Sequence, residues 1–192
     1  MKKSLNELDK LVLLFVSLLK ELKIKYVITS GYVAILFGRS RVTEDVDIVV
    51  EDMTEERFEK LWKASQKKFY CINTSDMGEA FHDFFSKRIP LRFARKGSFI
   101  PNIELKKIKN EVDRITLEKR TKIRVNDFYI YISPLEIQIA YKMFLGSLKD
   151  LEDAKFLFEL FKDKLDKGML SQFLKVLRVD RKVVKEWLGK LE

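Results

Sequence analysis

Ser30-Gly31-Tyr32-Val33-Ala34-Ile35-Leu36-Phe37-Gly38-Arg39-Ser40-Arg41-Val42-Thr43-Glu44-Asp45-Val46-Asp47-Ile48 is the stretch on which the fold turns. Tyr26-Val27-Ile28-Thr29, just before it, is a β-branched and aromatic run and reads as a buried strand. Ser30-Gly31 breaks that strand, and Tyr32 to Phe37 reads as a short helix closed by Gly38. A basic loop with Arg39 and Arg41 follows, then a second strand at Val46-Asp47-Ile48-Val49-Val50. A glycine after a strand lets backbone approach a ligand closely. The helix after it presents free N–H groups to a phosphate. Alternate strand residues share a face, so Asp45 and Asp47 aim at one point. Two converging carboxylates form a hard oxygen site of the kind Mg²⁺ takes together with phosphate oxygens. Asp47 sits among apolar neighbours, where a carboxylate is costly unless something satisfies it.

Composition sets the outer limits. The chain has 192 residues and is 46% apolar, which suffices for a sizeable core and excludes wholesale disorder. Three prolines and seven glycines leave no room for long linkers. One cysteine, Cys71, excludes a disulfide framework, and one histidine, His82, excludes a His-rich metal site. Both read as structural. A net charge of +9 suits an anionic partner, such as nucleotide or RNA, without naming one. The apolar run from Leu11 to Leu19 passes straight into Lys20-Glu21 without a small-residue cleavage site, and it is too short to span a bilayer. Its leucines recur at helical spacing, so it is expected to be an amphipathic helix with Ser4 as N-cap and Glu7 completing a capping box. The expected location is the cytoplasm, with no membrane partner.

Further elements follow from local pattern. Thr54 caps a helix over 55–67, and a shorter helix is expected over 76–85. Strand character appears at 69–73, 89–93, 100–105, 123–125 and 128–132, with Asn126-Asp127 as a hairpin turn. From Ser133, the expected N-cap before Pro134, the chain turns helical over 135–145, 151–161, 168–177 and 181–191. Two domains are expected: an α/β core over 1–133 and a helical region over 134–192.

The glycine-containing turn, short helix and Arg-x-Thr-x-Asp-x-Asp pattern resembles the nucleotidyltransferase superfamily with the DNA-polymerase-β-like fold. The branch it looks most like is that of the AbiEii-like toxins and uncharacterised minimal nucleotidyltransferases. Serine stands at Ser30 where that branch carries its first glycine. The resemblance implies an α+β fold, a mixed β-sheet flanked by helices with a helical C-terminal part. It implies that Asp45, Asp47 and a third carboxylate are catalytic and hold two Mg²⁺ ions. Glu104, between apolar neighbours in Ile103-Glu104-Leu105, is the best match for the third, with Asp83 and Asp113 as rivals. A second segment, Lys142-Met143-Phe144-Leu145-Gly146-Ser147-Leu148-Lys149-Asp150-Leu151-Glu152-Asp153, is similar to the helical motifs of the same branch. Ser30, Gly31, Arg41, Lys142 and Lys149 are thereby implied to bind the nucleotide, with Asp150 or Asp153 orienting the lysines. Read without the family, Asp150 caps the following helix, Asp153 favours its dipole and Lys142 is solvated.

The activity implied is transfer of an NMP group from an NTP to a protein, tRNA or small-molecule hydroxyl, in the setting of a toxin–antitoxin pair with an antitoxin partner. The contrasting expectations are a binding module on the same fold without turnover, and an RNA-binding protein driven by charge. The C-terminal helices serve either to close the core or to form a homodimer interface.

Overall fold

The computed structural model describes residues 4–190. The chain divides into two compact units. The first takes Val42–Ile132 and the stretch ending at Thr29; the second takes Ser30–Arg41 and everything from Ser133 on.

The first unit carries a seven-stranded mixed sheet in the order β3-β4-β5-β2-β1-β7-β6. Its strands are β1 (Tyr26–Ile28), β2 (Asp45–Val50), β3 (Phe69–Cys71), β4 (Leu91–Arg95), β5 (Asn102–Lys107), β6 (Thr121–Val125) and β7 (Phe128–Ile132). The central strand β2 runs antiparallel to β1 and parallel to β5. Its two faces differ. Val46, Ile48 and Val50 are buried on one. The other carries Asp45, Asp47 and Val49 in alternation. Helix α5 (Glu111–Glu118) covers the Val49 end of that face, where Leu117 packs with Val27 and Val49. The Asp45 end keeps its carboxylates.

Helix α1 (Glu7–Glu21) buries Leu11, Val12, Phe15, Val16 and Leu19. Phe15 meets the Phe69 ring edge-on at 5.2 Å, a favoured aromatic geometry. Helix α3 (Glu55–Ser65), capped by Thr54, places Phe58 5.0 Å from the Phe85 ring. Phe85 ends a segment that begins as α4 (Met77–Glu79) and continues as a wider π-helical turn over Ala80–Phe85.

The second unit is helical: α2 (Gly31–Leu36), α6 (Leu135–Leu145), α7 (Leu148–Phe161), α8 (Lys167–Val176) and α9 (Arg181–Leu188). Phe37 at the end of α2 meets the Phe161 ring at 4.7 Å. Residues 30–41, expected with the α/β core, therefore group with the C-terminal helices because their long-range partners lie there.

Several local expectations are corrected. The first helix is capped by Asn6 with Asp9 in the reciprocal role, not by Ser4 and Glu7. Pro134 rather than Ser133 is the N-cap of α6, and the Ser133 hydroxyl donates to the Pro134 carbonyl. Helix α5 was not expected at all, and α7 begins at Leu148 behind a Ser147 cap. Helix α9 ends at Leu188; Leu191, its expected end, and the basic start Met1-Lys2-Lys3 lie outside the described residues.

The turn into α2 is held in an unusual conformation. Ser30 has φ +63° and ψ −144°, a region that glycine enters freely and a side chain does not. Buried Gln138 on α6 brackets it: the Ser30 N–H donates to Gln138 Oε1 at 3.2 Å, and Gln138 Nε2 donates to the Ser30 carbonyl at 2.8 Å. Relief of strain outweighs the entropy glycine adds to the unfolded chain, so Ser30→Gly is expected to stabilise the protein by about 1 kcal/mol. Urea denaturation of the two proteins measures it; destabilisation would show that the serine is unstrained.

Candidate functional site

The sheet places Asp47 and Glu104 side by side. The two residues are register partners on the parallel strands β2 and β5, so their side chains leave the same face. Asp45, two residues earlier, is register partner to Asn102, and its Oδ1 accepts from the Thr43 hydroxyl at 3.2 Å. Arg92, opposite Glu104 on β4, reaches Glu104 Oε1 at 3.3 Å. Lys106 follows Glu104 by two residues on the same face of β5. Its Nζ lies 2.6 Å from Asp47 Oδ1 and 2.8 Å from Glu104 Oε2. Two of the three expected carboxylates thus converge on one point, and that point holds an ammonium. Among the described residues, no group of three His, Cys, Asp or Glu side chains is placed to hold a metal ion.

Both carboxylates are mostly buried, Asp47 with 13% and Glu104 with 14% of its side chain exposed. Burial opposes ionisation of Glu104, but hydrogen bonds from Lys106 and Arg92 and the link to Asp47 hold its carboxyl below the usual range. Burial also works against the Lys106 charge; Asp47 and Glu104 outweigh it and push the ammonium pKa up. The rivals for third acid are elsewhere engaged on the surface. Asp83 pairs with Lys87 at 2.6 Å, and Asp113 accepts from the Lys109 N–H in the first turn of α5.

The second unit gathers the other motif residues around one buried acid. Asp153, on α7, has no exposed surface. Its Oδ1 lies 2.7 Å from Arg39 Nε, and its Oδ2 lies 2.7 Å from Lys142 Nζ. Arg41 Nη1 also pairs with Oδ2. Lys142, itself 1% exposed, reaches Asp150 Oδ1 at 2.9 Å as well. Arg39 continues to Glu152 at 2.7 Å. The expectations that Asp153 only favours a helix dipole, and that Lys142 is solvated, are corrected: each is buried with opposite charge because neither could be buried alone. Asp150 does not cap α7, since Ser147 does. Burial tends to raise the Asp150 pKa; Ser147, Lys142 and Lys149 overcome it and hold it low.

Gly31 has a specific duty here. A Cβ at this position would meet the Arg41 guanidinium at 3.1 Å, so the glycine makes room for Arg41 to lie against the turn. Helix α2 has six residues and a partly strained entry. Lys149 is exposed. His82 is exposed on the surface near Glu55; Cys71 is buried, in line with its reading as a core residue. A groove of about 600 Å³ between α8 and α9, lined by Leu174, Lys175, Arg178, Val184 and Lys185, contains none of the expected site residues. No helix among the described residues is long and apolar enough to cross a membrane.

Two outcomes follow from the buried network. Asp153→Asn leaves buried cations without their carboxylate and is expected to cost about 3–5 kcal/mol in urea denaturation; a cost below about 1 kcal/mol would mean that water already compensates them. The second concerns pH. Asp150 has a lower pKa folded than unfolded, so its contribution is full above the unfolded value of about 3.9 and is lost as pH falls toward the folded value. Urea midpoints taken from about pH 6 to about pH 2 should fall less steeply at the acid end in Asp150→Asn than in the wild type; parallel curves would contradict that.

No protein-family model matches the sequence, and no curated protein sequence does. Solved structures do. An antigenic nucleotidyltransferase-like protein from Paracoccidioides brasiliensis superposes with a TM-score of 0.60 at 21% identity, over 95% of this chain and 92% of its own. The antibiotic-resistance factor ANT(2'')-Ia superposes with a TM-score of 0.58 at 8% identity, over 94% of this chain and 97% of its own. At such identities the likeness is one of architecture. The chain has an α+β, nucleotidyltransferase-like fold.

Proposed function

We propose that the protein is a Mg²⁺-dependent nucleotidyltransferase of the AbiEii-like branch, moving an NMP group from an NTP to a hydroxyl of a protein, tRNA or small-molecule acceptor. The observation that carries this reading is the convergence of Asp47 and Glu104 on one cation from neighbouring parallel strands. Mostly buried carboxylate oxygens that share a cation suit a hard metal ion. Asp47 and Glu104 would hold Mg²⁺, with Asp45 at the head of the same strand as the further carboxylate. Bound there, Mg²⁺ supplies Lewis-acid activation of the α-phosphate and of the acceptor hydroxyl. In the reaction the acceptor oxygen forms a bond to the α-phosphorus, the bond to the β-phosphate bridge breaks, pyrophosphate leaves, and the hydroxyl proton passes to a carboxylate of this chain.

Ser30, Gly31, Arg41, Lys142 and Lys149 remain the proposed nucleotide-binding residues. Lys149 is the exposed one and meets phosphate without rearrangement. Arg41 and Lys142 would have to leave Asp153 to do so; held there, Arg41 lies against the turn at Ser30-Gly31 instead. A toxin–antitoxin role with an antitoxin partner, a cytoplasmic setting and a homodimer through the C-terminal helices belong to the same proposal.

A second reading is a nucleotide- or partner-binding module without turnover. The Lys106 ammonium between Asp47 and Glu104 favours it, as a lysine there compensates the carboxylates without metal.

Calorimetry separates the two. ATP, GTP, CTP and UTP are titrated with and without Mg²⁺ into the wild type and Asp45→Ala/Asp47→Ala. Mg²⁺-dependent binding of at least one NTP, lost in the double variant, is expected. Binding that ignores Mg²⁺ and survives the double variant would establish a nucleotide-binding module; no binding at all would contradict the transferase and favour a partner-binding module.

A further inference from the structure

We infer that Lys106 is a resident counter-cation that a divalent metal must displace, and that it therefore sets the metal affinity of the Asp47–Glu104 pair. The inference rests on the metal-site reading above.

The two carboxylates are register partners on adjacent parallel strands, mostly buried and facing the same way. Side by side and both ionised they repel, and a cation between them relieves that repulsion. The two cations present have different parts. Arg92 holds Glu104 Oε1 from the opposing strand at 3.3 Å and leaves Oε2 to Lys106. Lys106 spans both acids, at 2.6 and 2.8 Å. Asp47 and Glu104 would hold a divalent ion with the carboxylates that now hold the ammonium. Ammonium and metal are thus mutually exclusive at the pair.

The lysine is suited to leave. Its side chain is 36% exposed, against 13–14% for the acids it joins. It is a compact charge on a flexible four-carbon stem, not a planar fork locked by two bonds. Arg92 can remain on Glu104 while Lys106 moves away. The consequence is a site that stays compensated without metal and binds free Mg²⁺ or Mn²⁺ weakly.

Mn²⁺ binding without nucleotide, followed by the electron-paramagnetic-resonance signal of the free ion, tests this. Wild type, Lys106→Met, Lys106→Arg and Asp47→Asn are compared. Lys106→Met is expected to bind Mn²⁺ tighter than wild type by about tenfold or more, the size set by removing a competing unit charge at this range. Lys106→Arg should bind no tighter than wild type. Equal affinity in wild type and Lys106→Met, with binding lost in Asp47→Asn, would overturn the inference and leave the metal site standing. No Mn²⁺ binding in any of them would remove the metal site and the inference with it. A wild-type measurement covers the case in which Lys106→Met does not fold. Amine acetylation mapped by mass spectrometry should show Lys106 labelling rise several-fold on adding Mn²⁺, other exposed lysines being unchanged; Lys106 labelling that stays constant while Mn²⁺ is bound would overturn the inference.

Discussion

Asp153 is a carboxylate with no access to water, and it holds Arg39, Arg41 and Lys142. Such a charge can be buried only where cations reach it, and here they come from the loop after α2 and from α6. That requirement fixes the second unit. It draws residues 30–41 onto the C-terminal helices and buries Lys142. It also lays the Arg41 guanidinium 3.1 Å from where a Cβ on residue 31 would stand, a tight approach that the glycine relieves. The bracket that Gln138 forms around Ser30 completes the arrangement and sustains a backbone conformation that a serine would not choose alone.

The sheet meets the same problem differently. Asp47 and Glu104 are buried less deeply than Asp153, and a flexible, partly exposed lysine bridges them. A network centred on an acid with no exposed surface is suited to structure, because a partner that leaves strands a buried charge. A pair whose shared cation stands at the edge of solvent is suited to exchange. The proposed metal site is for that reason the pair on β2 and β5 and not the Asp153 network.

Much of this was legible in the sequence, and the rest was not for definable reasons. Asp47 stood out because an acid inside Val46-Asp47-Ile48 needs a partner, and Glu104 stood out on the same ground. That they are register neighbours agrees with that logic. The role of Lys106 could not be read, since it depends on the pairing of β2 with β5 and not on anything local. Asp153 entered only through the resemblance, as one of two acids that could orient the lysines; its burial was not legible, because at the start of a helix an acid has an ordinary explanation in the dipole and burial leaves no local mark. Helix α5 escaped because Glu111, Asp113, Arg114 and Glu118 outnumber its apolar residues. The Asn6 cap lay two residues beyond Ser4, and both positions offer a good capping side chain.

The most direct measurement of the central claim is the fate of the α-phosphate. The protein is incubated with Mg²⁺, a cell extract as source of acceptor, and each NTP labelled with ³²P at the α or at the γ position. Transfer of α-label to a protein, RNA or small molecule, no transfer of γ-label, and loss of transfer in Asp47→Asn are the predicted results. Transfer of γ-label instead, or α-transfer that persists undiminished in Asp47→Asn, would contradict nucleotidyl transfer at this site.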